Sequence, residues 1–481
     1  QIWQALRRFS PRPPHAAAPA MARPAAVRSL VLACLVLEGV SAQTNCSTLG
    51  NSTAISRVLG MRATPLPGNY FMLNNFANRV TNAMHPYREL LRSSSDERPF
   101  LTRIDVLRTP GVTEPLHYIA GDAIWSWQGG CPSSYLVIER SGPPGGKSNS
   151  SNVSWHTIGP NVQGGAETFN LVIKAGDLYA AFNSDECGTY IGVSIAPGLN
   201  MPPEIETPVV PDLKALFEDA ALQEQFADTR DGGTRKSLEA FLSQYGKPAP
   251  VPAPTPAPAS GVRRLGQDDG GRALSRGRPC DVLGNSSSAI ATALGMRPTP
   301  LPGNFFSLQM LGSRLDPADH PYRQLLRESE RQSASVRPFL SHIQVLRTPG
   351  VTEPLHFIAG DAVWSFQAGC PVDYLVIARN ATGTAGVYDV EDVSWKTIGM
   401  DVEAGNQSFS LMIKGGDLYA AFNSQECGTF IKTSIAPGLN MPPEIETPEV
   451  SALKASFTQA ALGRSFADTR AGGAAKTLAQ F

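Results

Sequence analysis

The stretch SIAPGLNMPPEIETP occurs twice, letter for letter, at Ser194–Pro208 and Ser434–Pro448. LRTPGVTEPLH likewise occupies Leu107–His117 and Leu346–His356, and DLYAAFNS occupies Asp177–Ser184 and Asp417–Ser424. An offset of about 235 to 240 residues is far longer than the unit of a solenoid or propeller, so each copy is a whole domain and the chain is a tandem duplication. Whatever fold one copy takes, the other takes too.

Within a copy the local signals are mostly strand. FLTRIDVL, YLVIER, TFNLVIKAGDLYAAF and YIGVSIAPG are short runs rich in Ile, Val, Tyr and Phe, bounded by Gly, Pro and Asn-Ser clusters. Two stretches have helical spacing: His85–Ser94 before the main strands, and Ala215–Gln244 after them. Many short strands with few helices predict an all-β-dominated chain, built as two closed antiparallel barrels or jelly rolls, each followed by a short helical tail. Between the copies, Gly246–Pro279 contains PAPVPAPTPAPAS and then Gly, Arg and Asp residues, the composition of an extended, solvated spacer. The expected boundaries are 43–210 for the first barrel, 211–245 for its tail, 246–279 for the linker, 280–448 for the second barrel and 449–481 for a truncated tail.

Residues 1–20 read as a non-native or untranslated leader, because a secretory signal starts at Met21. Arg23 and Arg28 form its basic start, Leu30–Leu37 its apolar core, and Val40-Ser41-Ala42 its cleavage site, giving a signal peptide over 21–42. The apolar run is too short to span a bilayer. The expected location is therefore extracellular or in the secretory lumen, with no membrane insertion after cleavage. Beyond Cys34, six cysteines remain. Matching triplets favour Cys131 with Cys187 and Cys370 with Cys427 as disulfides, leaving Cys46 and Cys280 to meet each other or a partner chain. Asn45, Asn51, Asn149, Asn152, Asn285, Asn380 and Asn406 head N-x-[ST] sequons and are glycosylation candidates. A net charge of −1 offers no electrostatic basis for nucleic acid as a partner.

VTEPLHYIAGDAIWSWQGGC, Val112–Cys131, returns as VTEPLHFIAGDAVWSFQAGC, Val351–Cys370. Gly111, His117 and Gly130 keep the outer spacing of the first cupin motif, G-x5-H-x-H-x3-E-x6-G, as do Gly350, His356 and Gly369. Gly176 with Asn183, and Gly416 with Asn423, fit the tail of the second motif, P-x-G-x2-H-x3-N. LGMRATPLPGNYF, LHYIAGDAIWSWQGG, WHTIGPNV and SIAPGLNMPPEIE follow in the order of the cupin-5 branch (DUF985). The chain thus resembles that branch over Ser56–Glu206 and Ala291–Glu446. The resemblance implies a small RmlC-like jelly-roll barrel with an interior pocket, and self-association of such barrels as one kind of partnership.

The departures bear on chemistry. The four metal-ligand places hold His117, Ile119, Ala123 and Tyr179, and in the second copy His356, Ile358, Ala362 and Tyr419. One imidazole does not make a site for a divalent ion, so no metal and no other cofactor is expected. On a strand, alternate residues share a face, so Trp125 and Trp127 point the way of Ala123, and Trp364 and Phe366 that of Ala362. With His117, Tyr179 and Asn183, and with His356, Tyr419 and Asn423, these aromatics would line a site for a small organic ligand such as a carbohydrate. The competing reading of the same aromatics is a plugged barrel. An enzymatic alternative is a metal-independent sugar isomerase or epimerase with His117/Tyr179 and His356/Tyr419 as catalytic pairs. A storage or structural protein is the third.

Overall fold

The computed structural model describes residues 56–247 and 291–481, apart from 57–58, 65, 67, 77–78, 82, 92–96, 143–144, 163–164, 200–209, 293, 300, 327–336, 382–386, 400–406 and 440–449. The expected leader, signal peptide and linker lie outside these residues, as do Cys46, Cys280 and the sequons at Asn45, Asn51, Asn285 and Asn406.

Each copy folds into two antiparallel sheets facing one another. In the first copy a six-stranded sheet runs in the order Arg62–Ala63, Asn69–Asn75, Thr102–Arg108, Thr189–Ala196, Asp122–Gly130, Asn170–Ile173. A four-stranded sheet runs Thr113–His117, Leu178–Asn183, Ser133–Arg140, Ser151–Ile158. The second copy repeats both sheets with the same order of equivalent strands. Jumping between sheets in this way is the jelly-roll arrangement expected from the strand pattern. Inward residues of both sheets, among them Ile104, Val106, Trp125, Tyr135, Tyr179, Val193 and Ile195, form one core, and Ile343, Val345, Trp364, Tyr374, Tyr419 and Ile435 belong to a second.

The outer faces are covered as well. Asp122–Gly130 and Thr189–Ala196 are buried at every residue, because the six-stranded sheets of the two copies pack back to back. Ile124 and Ala196 meet Val363 and Ala436 there. Tyr190 packs against Phe409 in a tilted pair, 4.6 Å between ring centroids, and Phe169 against Phe430 at 5.3 Å. The outer face of the four-stranded sheet, with Leu136, Ile138, Ala180 and Phe182, is sealed by Leu213, Phe217, Leu238 and Phe241 of the tail.

That tail differs from expectation. The predicted helical stretch Ala215–Gln244 is broken by a hairpin, Gln225–Asp228 pairing with Thr234–Ser237, between short helices at Asp219–Leu222 and Leu238–Tyr245. Gly232 and Gly233 take φ of 62° and 81°, a left-handed turn that closes a hairpin and ends a helix. Asp228 pins the turn by accepting from Lys236 Nζ and Tyr245 Oη at 2.9 and 2.8 Å. Among the described residues of the expected helix at His85–Ser94, one 3-10 turn forms, Arg88–Leu90. His85 Nδ1 accepts from the Tyr87 amide, and Tyr87 Oη donates to Asp122 at 2.7 Å, so tertiary anchors win over helical spacing.

Among the described residues two disulfides form, Cys131–Cys187 and Cys370–Cys427, the pairing that the repeated triplets favoured. No helix among the described residues is long and apolar enough to cross a membrane.

Candidate functional site

The polar centre of the first barrel is assembled from four strands. Along Thr102–Arg108, Ile104 and Val106 face the core, and alternation carries Arg108 to the same side. The strand Thr113–His117 is irregular. Tyr179 pairs with His117 and Ala181 with Glu114, so between these pairs one residue, Ala180, opposes two, Pro115 and Leu116. The extra residue, beside Pro115, turns both Glu114 and His117 inward although they are three apart. Tyr135 comes from Ser133–Arg140. The second barrel has the same irregularity between Glu353 and His356.

Arg108 is fully buried and forms an ion pair with Glu114, while its Nη1 donates to Tyr135 Oη at 3.0 Å. The guanidinium also lies over the Trp125 ring, 5.4 Å from its centroid. Burial works against that charge, but Glu114 and Tyr135 together hold it above its ordinary pKa. His117 Nδ1 donates to the Pro115 carbonyl at 2.7 Å, leaving Nε2 as an acceptor. Burial lowers the His117 pKa despite the pull of Glu114, so the ring is neutral at neutral pH. Burial, reinforced by Glu114, raises Tyr179 well above the usual phenol range. Arg347, Glu353, Tyr374, His356 and Tyr419 repeat these contacts.

A cavity of about 30 Å³ opens beside this cluster, lined mainly by apolar side chains with Thr64, Asn69, Glu114, Trp125 and Tyr179 among them. Several polar atoms here have no hydrogen-bond partner among the described residues: Asn69 Oδ1, Trp125 Nε1, Tyr179 Oη and, beside them, His117 Nε2. Their equivalents Asn304 Oδ1, Trp364 Nε1, Tyr419 Oη and His356 Nε2 are in the same condition. Buried polar atoms ordinarily find partners, so such a cluster marks a place where something else is held.

Trp125 and Tyr179 reach the cavity, and His117 packs on Tyr179 with ring centroids 4.2 Å apart. Trp127 and Phe366 lie in the apolar core, and Trp127 Nε1 donates to the Gly130 carbonyl at 3.2 Å. Asn183 donates to the carbonyls of Arg108 and Thr109, and Asn423 to those of Arg347 and Thr348, at the barrel wall. Asn149, Asn152 and Asn380 are exposed. Glu114 was not among the expected site residues, since strict alternation would set it on the face opposite His117. The Pro within EPLH was the available signal. Arg108 was within reach of the alternation of TRIDVLR.

This donor set does not suit a divalent ion. Ile119 and Ala123 offer no donor, the Tyr179 hydroxyl is held protonated, and Glu114 is neutralised by a guanidinium that would repel a second cation. Among the described residues no three His, Cys, Asp or Glu gather as metal ligands. Nor do His117 and Tyr179 flank a gap. They sit opposite each other on neighbouring strands with rings in contact, whereas acid and base acting on two faces of one carbon need a substrate between them.

The chain matches the family described as Cupin superfamily (DUF985) over residues 54–202 and 288–442. Solved structures of similar shape include a hypothetical protein from Leishmania major, at 18% identity and a TM-score of 0.28, covering 35% of this chain and 90% of that one. Vicilin from Corylus avellana (hazelnut) matches at 12% identity and a TM-score of 0.36, covering 79% of this chain and 83% of that one. A Lactobacillus farciminis oxalate decarboxylase formate complex matches at 12% identity and a TM-score of 0.35, covering 79% and 84% respectively. No curated protein matches the chain.

Proposed function

The chain belongs to the DUF985 family of the cupin superfamily, and we propose that its barrels bind a small, uncharged, polar ligand without a metal ion. The observation that carries this reading is the set of unpartnered atoms around the cavity: Trp125 Nε1 and Tyr179 Oη as donors, His117 Nε2 and Asn69 Oδ1 as acceptors. A hydroxyl group satisfies both kinds at once. The charges inside the barrel already cancel, Arg108 against Glu114 with His117 neutral, so an anionic or cationic ligand would bury an uncompensated charge.

Size narrows the class. A space of about 30 Å³ holds two or so water molecules. A whole sugar ring does not enter without displacing an aromatic side chain. The hydroxymethyl arm of a carbohydrate or polyol does, with the remainder at the half-buried Thr64 end. A secretory location is part of the same proposal. Two disulfides and the exposed sequon residues Asn149, Asn152 and Asn380 support it.

The test is a pair of titrations, glycerol against glycerate, followed through the Trp125 indole N–H signal in nuclear magnetic resonance. Glycerol should shift the signal and glycerate of equal size should not, and Tyr179→Phe should weaken the glycerol response. A response to glycerate or to a divalent ion in glycerol's place would sink the reading.

A further inference from the structure

Every residue lining the first cavity recurs at the matching position of the second copy, except that Val193 becomes Thr433. Register confirms the correspondence: Val193 pairs with Ile104 and Trp125, and Thr433 with Ile343 and Trp364. Ile431 and Ile435 lie two residues to either side of Thr433 and belong to the second barrel's core, so alternation points the threonine side chain into that barrel. Thr433 is fully buried, and its Oγ1 has no hydrogen-bond partner among the described residues. Threonine and valine have nearly the same shape. A hydroxyl placed in an otherwise apolar wall, and left unpaired, weakens the fold unless it meets a ligand.

Resting on the ligand-binding reading above, we propose that the two barrels hold non-identical sites, and that the second selects a ligand with one more hydrogen-bonding group than the first. By equivalence with the lining of the first cavity, Thr433 shares the second interior with Trp364, its direct cross-strand partner, and with Tyr419 and Asn304, whose Nε1, Oη and Oδ1 atoms also have no partner among the described residues. The second site therefore offers one hydroxyl beyond the shared constellation, and the first offers a methyl group in its place. The chemical class follows: a vicinal diol arm for the second barrel, a less hydroxylated arm of the same length for the first. Both ligands are neutral, because the Arg347–Glu353 pair balances the second interior as Arg108–Glu114 balances the first.

The experiment uses the full chain and two probes of equal length, ethane-1,2-diol and propan-1-ol, in which a methyl replaces one hydroxyl. The indole N–H signals of Trp125 and Trp364 report the two barrels separately. The preference for the diol should be roughly three- to ten-fold greater at Trp364 than at Trp125, the worth of one ordinary hydrogen bond. Thr433→Val should erase the difference, and Val193→Thr should confer the diol preference on the first barrel. Each variant installs the residue that the other copy already carries, so both should fold. Equal preferences in the wild-type chain, or an unchanged preference in Thr433→Val, would overturn the inference while leaving the binding reading intact. If neither signal responds to either probe, both fall together.

Discussion

The interiors of the two barrels are near copies, whereas their mating faces are not. Inside, Arg108, Glu114, His117, Trp125, Tyr135 and Tyr179 recur one for one as Arg347, Glu353, His356, Trp364, Tyr374 and Tyr419. On the faces that pack back to back, Arg103, Asp105 and Gly192 of the first copy become His342, Gln344 and Lys432 of the second. Arg103 pairs with Asp105 at 2.6 Å and donates across the interface to Ser410 Oγ at 2.9 Å. It lies over Gly192, where any side chain would collide with it. Lys432 is buried on the facing sheet, and its Nζ has no hydrogen-bond partner among the described residues. The interior kept its residues because each barrel must satisfy the same buried charges by itself. The mating faces were free to diverge because each meets a different surface.

If the interiors are equivalent, twin substitutions inside them should cost the same. Glu114→Gln and Glu353→Gln each leave a buried guanidinium uncompensated and should each lose about 3–5 kcal/mol in urea unfolding. Markedly unequal losses would break the comparison. Removing the Cys131–Cys187 bridge, whose partners are 56 residues apart, should cost about 2–4 kcal/mol, with a like cost for Cys370–Cys427.

The mating faces should respond unequally. Lys432→Met should be neutral or up to about 2 kcal/mol stabilising, since it removes a buried amino group that has no hydrogen-bond partner among the described residues. Burial holds the Lys432 pKa well below its ordinary value, with Arg103 adding to the effect. Between that depressed value and the unfolded value near 10.4, the unfolded chain binds the extra proton, so stability rises with pH and the variant should flatten that slope. Burial also lowers His342 from 6.5 to about 3, and the same sign applies: stability falls as pH drops from 6.5 towards 3. Asp177 and Asp417, raised to about 6 chiefly by burial, pull the other way as pH falls from 6 to 3.8. His342→Gln should therefore reduce the acid sensitivity without abolishing it. Tyr179→Phe should change stability by less than about 1 kcal/mol, because the hydroxyl has no partner to lose among the described residues, while weakening the proposed binding of a neutral ligand.

The duplication, the strands, both disulfides and the inward alternation of Ala123 and Trp125 were legible because each follows from repetition or from a period of two. Glu114 was not, since an irregular strand breaks that period at Pro115. The hairpin in the tail was hidden because Ala215–Gln244 carries apolar residues at helical spacing on both sides of Gly232-Gly233. Lys432 and Thr433 were silent for a different reason. Their meaning depends on what faces them, the other copy for one and the barrel interior for the other, and only three-dimensional pairing supplies that.

Whether the barrels hold a neutral ligand without a metal can be read from native mass spectrometry with elemental analysis on the chain expressed through a secretory pathway and purified without chelator. The expected result is a metal-free protein carrying a neutral, hydroxylated organic mass that is released on unfolding. A stoichiometric divalent metal would refute the proposed binding mode.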